Sequence, residues 1–274
     1  MSFYTSLSGL KAAQSDLSAI SNNVANVNTT SFKKSKTSFG DIFASAPTQN
    51  TRQVAGQGVR VIGINQQFVQ GTIETTDKTL DLAVTGEGFF TVKTTGTSGT
   101  TSYTRNGAFS MDKSRFVVDT TGARLQVLPV DATTGAITGT TLSDLQIPAN
   151  NGATPPVELA SISVSDKGVV AATYADGTTS AIGSVAMANF ASQDGLRQKG
   201  DAHWEASINS GNAIYGGAGQ GMFGSVRSGA LERSNVDITE ELVGLISAQR
   251  NFQANAKAIE TATAITQTIV NLRT

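Results

Sequence analysis

Apolar residues recur at steps of three and four at both ends of this chain, and the stretch between them lacks that period. Near the front the set is Phe3, Leu7, Leu10, Ala13, Leu17, Ile20, Val24 and Val27. Near the back it is Ile238, Leu242, Leu245, Phe252, Ala256, Ile259, Ala262, Ile265, Ile269 and Leu272. Such spacing gathers each set on one face of a helix. A helix with an apolar face needs a partner, and the simplest partners are the other terminal helix and its copies in neighbouring subunits. The expected fold is therefore α+β. N- and C-terminal helices form an α-helical coiled-coil core domain, with an extended arm and a mainly antiparallel β domain between them. A β domain trailing two sticky helices points to an assembly protein.

The first helix is expected over residues 3–27, where Asn22, Asn23, Asn26 and Asn28 begin to weaken helix propensity. The second starts at a capping box, Asp237 with Glu240. Glu240 and Glu241 suit its positive end and Arg273 its negative end. At ~1.5 Å per residue it would be about 52 Å long, more than a packing helix needs. The domains expected are 1–30 plus 235–274 (helical core), 31–75 (arm) and 76–234 (β). Within the arm, FKKSKTSFGDIF reads as a turn or short helix and VRVIGINQQFVQGTIETT as extended chain. In the β part, Asn106–Gly107 and Asp176–Gly177 suit type I′ hairpin turns, and Asp166–Lys167–Gly168 a longer one. Residues 147–157 hold three prolines and read as a linker.

Composition excludes several classes of function. A net charge of −1 offers nucleic acid or an anionic membrane no attraction. No stretch approaches the ~20 apolar residues of a membrane span. Cysteine is absent, so no disulfide, thiolate metal site or cysteine nucleophile is available. The opening MSFYTSLSGLKAAQ lacks the basic and apolar regions of a cleavable signal peptide, so export would need a dedicated route.

Chemical motifs are sparse. Gly219-x-Gly221-x-x-Gly224 matches the dinucleotide fingerprint in form, but no hydrophobic strand precedes it. Gly86 and Gly88 read as turn or bulge glycines. His203, the one histidine, lies beside the one tryptophan, Trp204, in what reads as a polar loop with a packing or surface role. Asp112, Asp119 and Asp131 stand at turns, where aspartate bonds locally, and do not suggest the carboxylate pair of a glycosidase. Lys33, Lys34 and Lys36 form a basic cluster expected to be solvated or intersubunit. No catalytic residue, metal ligand or cofactor is assigned.

Three long stretches carry a family resemblance: LSGLKAAQSDLSAISNNVANVNTTSFKKS, GVRVIGINQQFVQGTIETTDKTLDLAVTGEGFF and SGALERSNVDITEELVGLISAQRNFQANAKAI. With YTRNGAFSMD between the second and the third, they resemble the flagellar hook and rod axial proteins over nearly the whole chain. That resemblance implies a homo-oligomeric helical tube with the paired terminal helices inside and the β part outside. It also implies extracellular placement in the hook or basal body, and passage through the flagellar export apparatus without cleavage. The implied neighbours are the distal rod protein, the hook cap and the hook–filament junction proteins. The wording of both ends is similar to hook members, which join rod to filament and transmit torque. Hook members usually carry an extra outer domain where this chain has only residues 147–157, and in length it resembles the distal rod protein. The residues expected to make the assembly interface are Leu7, Leu10, Leu17, Ile20 and Val24, with Ile238, Leu242, Leu245, Phe252, Ile259 and Ile269. Two other classes remain open on the residues alone: an enzyme acting on surface polysaccharide, and a trimeric adhesin.

Overall fold

A computed structural model describes residues 2–42, 56–95, 99–151 and 157–271. Leu272, Arg273 and the linker prolines Pro155 and Pro156 lie outside them. The chain divides into two compact units, one of residues 1–28, 33–67 and 236–274, the other of residues 29–32 and 68–235. Two helices and many short, mainly antiparallel strands make the fold α+β.

In the first unit, helix α1 (Ser2–Ala25) is followed by strands β1 (Ser35–Asp41) and β2 (Val59–Gln66), and helix α2 (Ile238–Asn271) closes the chain. Residues 32–42 of FKKSKTSFGDIF are not helical: most of them form β1, paired antiparallel with β2 across a bulge between Ser38 and Phe39. The alternation in VRVIGINQ extends to its partner, where Thr37 turns inward and Lys36 and Phe39 outward. Asp237 caps α2 as expected, its Oδ1 accepting from the amides of Thr239 at 2.8 Å and Glu240 at 3.2 Å. The reciprocal half of the capping box is replaced by a contact to Lys34, whose Nζ donates to Glu240 Oε2 at 3.1 Å.

The second unit is built on one extended sheet. Its path runs Leu159–Val164, Val169–Tyr174, Thr179–Asn189, Arg124–Leu128, Phe89–Lys93, Thr101–Thr104, His203–Glu205 and Arg197–Gly200. Leu82, Val84, Phe90, Val92, Leu125, Val127, Val185 and Met187 form its main core. A second cluster joins Phe89, Tyr103, Phe190 and Trp204.

The turn chemistry differs from the expected I′ pattern. Neither Asn106 nor Gly107 has positive φ, and they do not close a hairpin. Gly107 is needed for close approach instead, since a Cβ there would overlap the Leu82 carbonyl oxygen at 1.6 Å. Asp176–Gly177 does join two paired strands, but only Gly177 is left-handed. The Asp176 carboxylate accepts from the Thr178 amide, and the Gly177 amide donates to the Tyr174 carbonyl at 3.0 Å to close the turn. Gly219, Gly221 and Gly224 lie in a turn that leads into strand Ser225–Ser228, so no helix N-terminus exists there to hold a pyrophosphate.

Candidate assembly interface

Helices α1 and α2 pack against each other in opposite directions. Asn23 meets Glu241, Ile20 reaches Gly244, and Gly9 lies against Asn255, so numbers rise along one helix as they fall along the other. Continuing that register sets the start of α1 opposite residue 262 of α2. Residues 263–271 then run about 13 Å beyond the end of α1 at ~1.5 Å per residue, and all of them are exposed. Thr261, Thr266 and Thr268 each donate the hydroxyl to the carbonyl four residues back, at 2.7–2.9 Å.

The contact covers only part of each apolar stripe. Leu7, Leu10, Leu17, Ile20 and Val24 are half-buried, and the fully buried positions of α1 are Ala12, Ala13, Ala19 and Asn23. Along α2, Leu245, Phe252 and Ile259 are half-buried beside buried Ala248. Ile238, Leu242 and Ile269 are left 48%, 46% and 61% exposed, and Ile246, Ile265 and Val270 are similar. The structure thus brings Leu245, Phe252 and Ile259 to one side of α2 and leaves Ile238, Leu242 and Ile269 without cover in the single chain.

Asn23 is the residue whose role the sequence conceals. It is 1% exposed, and its amide joins three elements. Nδ2 donates to the Ser35 carbonyl at 2.9 Å and to Glu241 Oε2 at 3.0 Å, while Oδ1 accepts from the Ser35 amide at 2.9 Å. Glu241 is therefore a buried acceptor as well as a favourable charge at the start of α2. Asn23→Ala would leave these groups unpaired, a cost of about 2–4 kcal/mol. It should lower the melting temperature of the helix unit, followed by helical circular dichroism, without moving the β transition.

The basic cluster is only partly solvated: Lys33 is buried, and Lys34 is paired with Glu240. His203 is not in a loop either. It sits on strand His203–Glu205, and its Nε2 lies 2.6 Å from Asp119 Oδ2. Its Nδ1 faces the Asp201 carbonyl at 2.8 Å, and a carbonyl only accepts, so that nitrogen is protonated. Asp119 Oδ1 takes the amides of Thr121 and Ala123, the local turn role expected of it. Among the described residues no cluster of three or more potential metal ligands occurs. No described helix is long and apolar enough to cross a membrane.

Three family models match this chain in order. The model for the flagella basal body rod protein covers residues 3–33. That for the flagellar hook protein FlgE/F/G D1 domain covers 83–172, and that for the flagellar basal body rod FlgEFG protein C-terminal covers 227–272. The flagellar basal-body rod protein FlgG of Bacillus subtilis is 35% identical over 285 aligned residues, 99% of this chain and 98% of its own. The chain belongs to the flagellar hook and rod protein family. The flagellar hook protein FlgE of Escherichia coli is 28% identical over 411 aligned residues, covering all of both chains. FlgG of Borreliella burgdorferi is 31% identical, over 94% of this chain and 93% of its own. As a member of this hook–rod family the chain is a structural component of the hook–basal body, which serves motility. The first and last matched regions take in nearly all of α1 and α2, the two helices whose stripes are half-covered.

Proposed function

We propose that this chain is the subunit of the helical, tubular flagellar hook, joining the basal-body rod to the filament and transmitting motor torque. It acts as a structural part with no catalytic role. The observation that carries the reading is the uncovered apolar surface on α2, since exposed apolar stripes of this extent mark interaction sites. In the tube, the terminal helices of many copies complete a coiled-coil core around the export channel, through Leu7, Leu10, Leu17, Ile20 and Val24 with Ile238, Leu242, Leu245, Phe252, Ile259 and Ile269. Its further partners are the distal rod, hook cap and hook–filament junction proteins and the export apparatus.

The longer hook relatives must place extra residues somewhere, and residues 147–157 offer a neck. Asn150 bridges Glu158, and the Asn151 amide donates to the Val157 carbonyl at 3.2 Å, so the chain leaves and re-enters the sheet at paired points. The similar length of the Bacillus subtilis rod protein supports a second reading, the distal rod protein.

Negative-stain microscopy of the purified protein tests the reading: curved tubes favour the hook, straight tubes the distal rod, and discrete particles overturn both. A small folded domain inserted after Asn151 should leave tubes intact and thicken them outside. Loop-closure cost rises only about 0.6 kcal/mol per doubling of length. The same insertion after Gly244 should abolish tubes. Loss of tubes from the Asn151 insertion would place that neck in a subunit contact.

A further inference from the structure

The helix unit holds a cleft of about 330 Å³ lined from α1, β1 and α2. Asp16, Glu240 and Glu241 face it against Lys34 and Lys36, a formal excess of one negative charge. Lys34 serves both glutamates, at 3.1 and 4.0 Å. Asp16 has no ion pair or hydrogen bond through its carboxylate among the described residues. The wall also carries Thr37, 6% exposed, whose buried hydroxyl oxygen meets no partner. Gly244 keeps that side of the cleft free of a side chain.

On α2, Ile238, Leu242, Ile246 and Arg250 follow one another at steps of four, which is a ridge of the kind that packs into a neighbour's groove. All four are exposed, and Arg250 has no charged partner among the described residues. We propose that this cleft receives Arg250 of a second copy, with the Ile238–Leu242–Ile246 ridge lying beside it. The proposal rests on the reading of the chain as a self-assembling subunit. Charge complementarity selects the occupant. A guanidinium presents five donors in a planar fork, two of which can clasp the Asp16 carboxylate. Ridge and cleft are different surfaces of one chain, so between copies that are not related by a two-fold axis the contact is head-to-tail and propagates.

The test is a charge exchange read as the critical concentration for tube formation at constant salt. Arg250→Glu and Asp16→Arg alone should each raise it about tenfold or more, and the double variant should return to within about threefold of the parent. Arg250→Gln and Asp16→Asn, which add no repulsion, should raise it less. Circular dichroism and melting of each free variant should match the parent, as suits side chains at the surface. Single variants that polymerise like the parent, or a double variant no better than the singles, overturn the pairing. A parent protein that forms no tubes refutes the assembly reading itself, and the pairing with it.

Discussion

Leu245→Asp is expected to abolish tube formation while the β unit keeps its melting transition. Leu245 sits half-buried one residue past the contact between Ile20 and Gly244, within the paired stretch of helix. A carboxylate there would lose its hydration without gaining a partner, a cost of several kcal/mol if the seam closes over it. Each subunit repeats the defect, so the polymer suffers more than the monomer. Leu17→Asp should act in the same way from α1. Calorimetry of the free variants alongside sedimentation of the assembled ones separates the outcomes. If the β unit lost its own transition, the helices would be needed for its folding, and their stripes would not be an assembly surface.

The largest effect within the β unit is expected at His203. Burial works against its charged form, but the Asp119 carboxylate at 2.6 Å and the Asp201 carbonyl outweigh it and raise its pKa. Burial likewise opposes ionisation of Asp119, while His203, Thr121 and Ala123 bond to the carboxylate and carry its pKa down. The aspartate's contribution is present above its ordinary value near 4 and is lost as pH falls through the lowered pKa. The histidine's is full below about 6.5 and is lost as pH rises through the raised pKa. The unit should therefore be most stable between about pH 4 and 6.5. Its alkaline decline should flatten in His203→Ala. Removing one partner of a buried pair costs about 3 kcal/mol or more, or about 10 °C in melting temperature for a unit of this size. An unchanged melting temperature at pH 6 would mean that the pair contributes nothing.

What the sequence disclosed follows from how local each signal is. The period of the terminal stripes and the cap at Asp237 are contained in a few turns of one helix, so both ends were legible to within two residues. The pairing of β1 with β2 depends on residues some twenty-five positions apart, and FKKSKTSFGDIF has no alternation clear enough to announce a strand. Asn106–Gly107 misled because a pair that favours positive φ also suits a place where two backbones nearly touch. Asn23 and His203 were opaque for one reason: each owes its role to a partner far along the chain, at Glu241 and Asp119. Of the residues proposed for assembly, the apolar face could be read, but not how much of it α1 and α2 would cover for each other.

The threonines near the end of α2 give a polar sequence a surface with few free hydroxyl donors. With their hydroxyls engaged by the helix's own backbone, they present methyl groups alongside Ile265, Ile269 and Val270. Another helix lying on such a surface would be held mainly by fit. It could then shift by fractions of a turn with few hydrogen bonds to break, a low-friction bearing made from ordinary side chains.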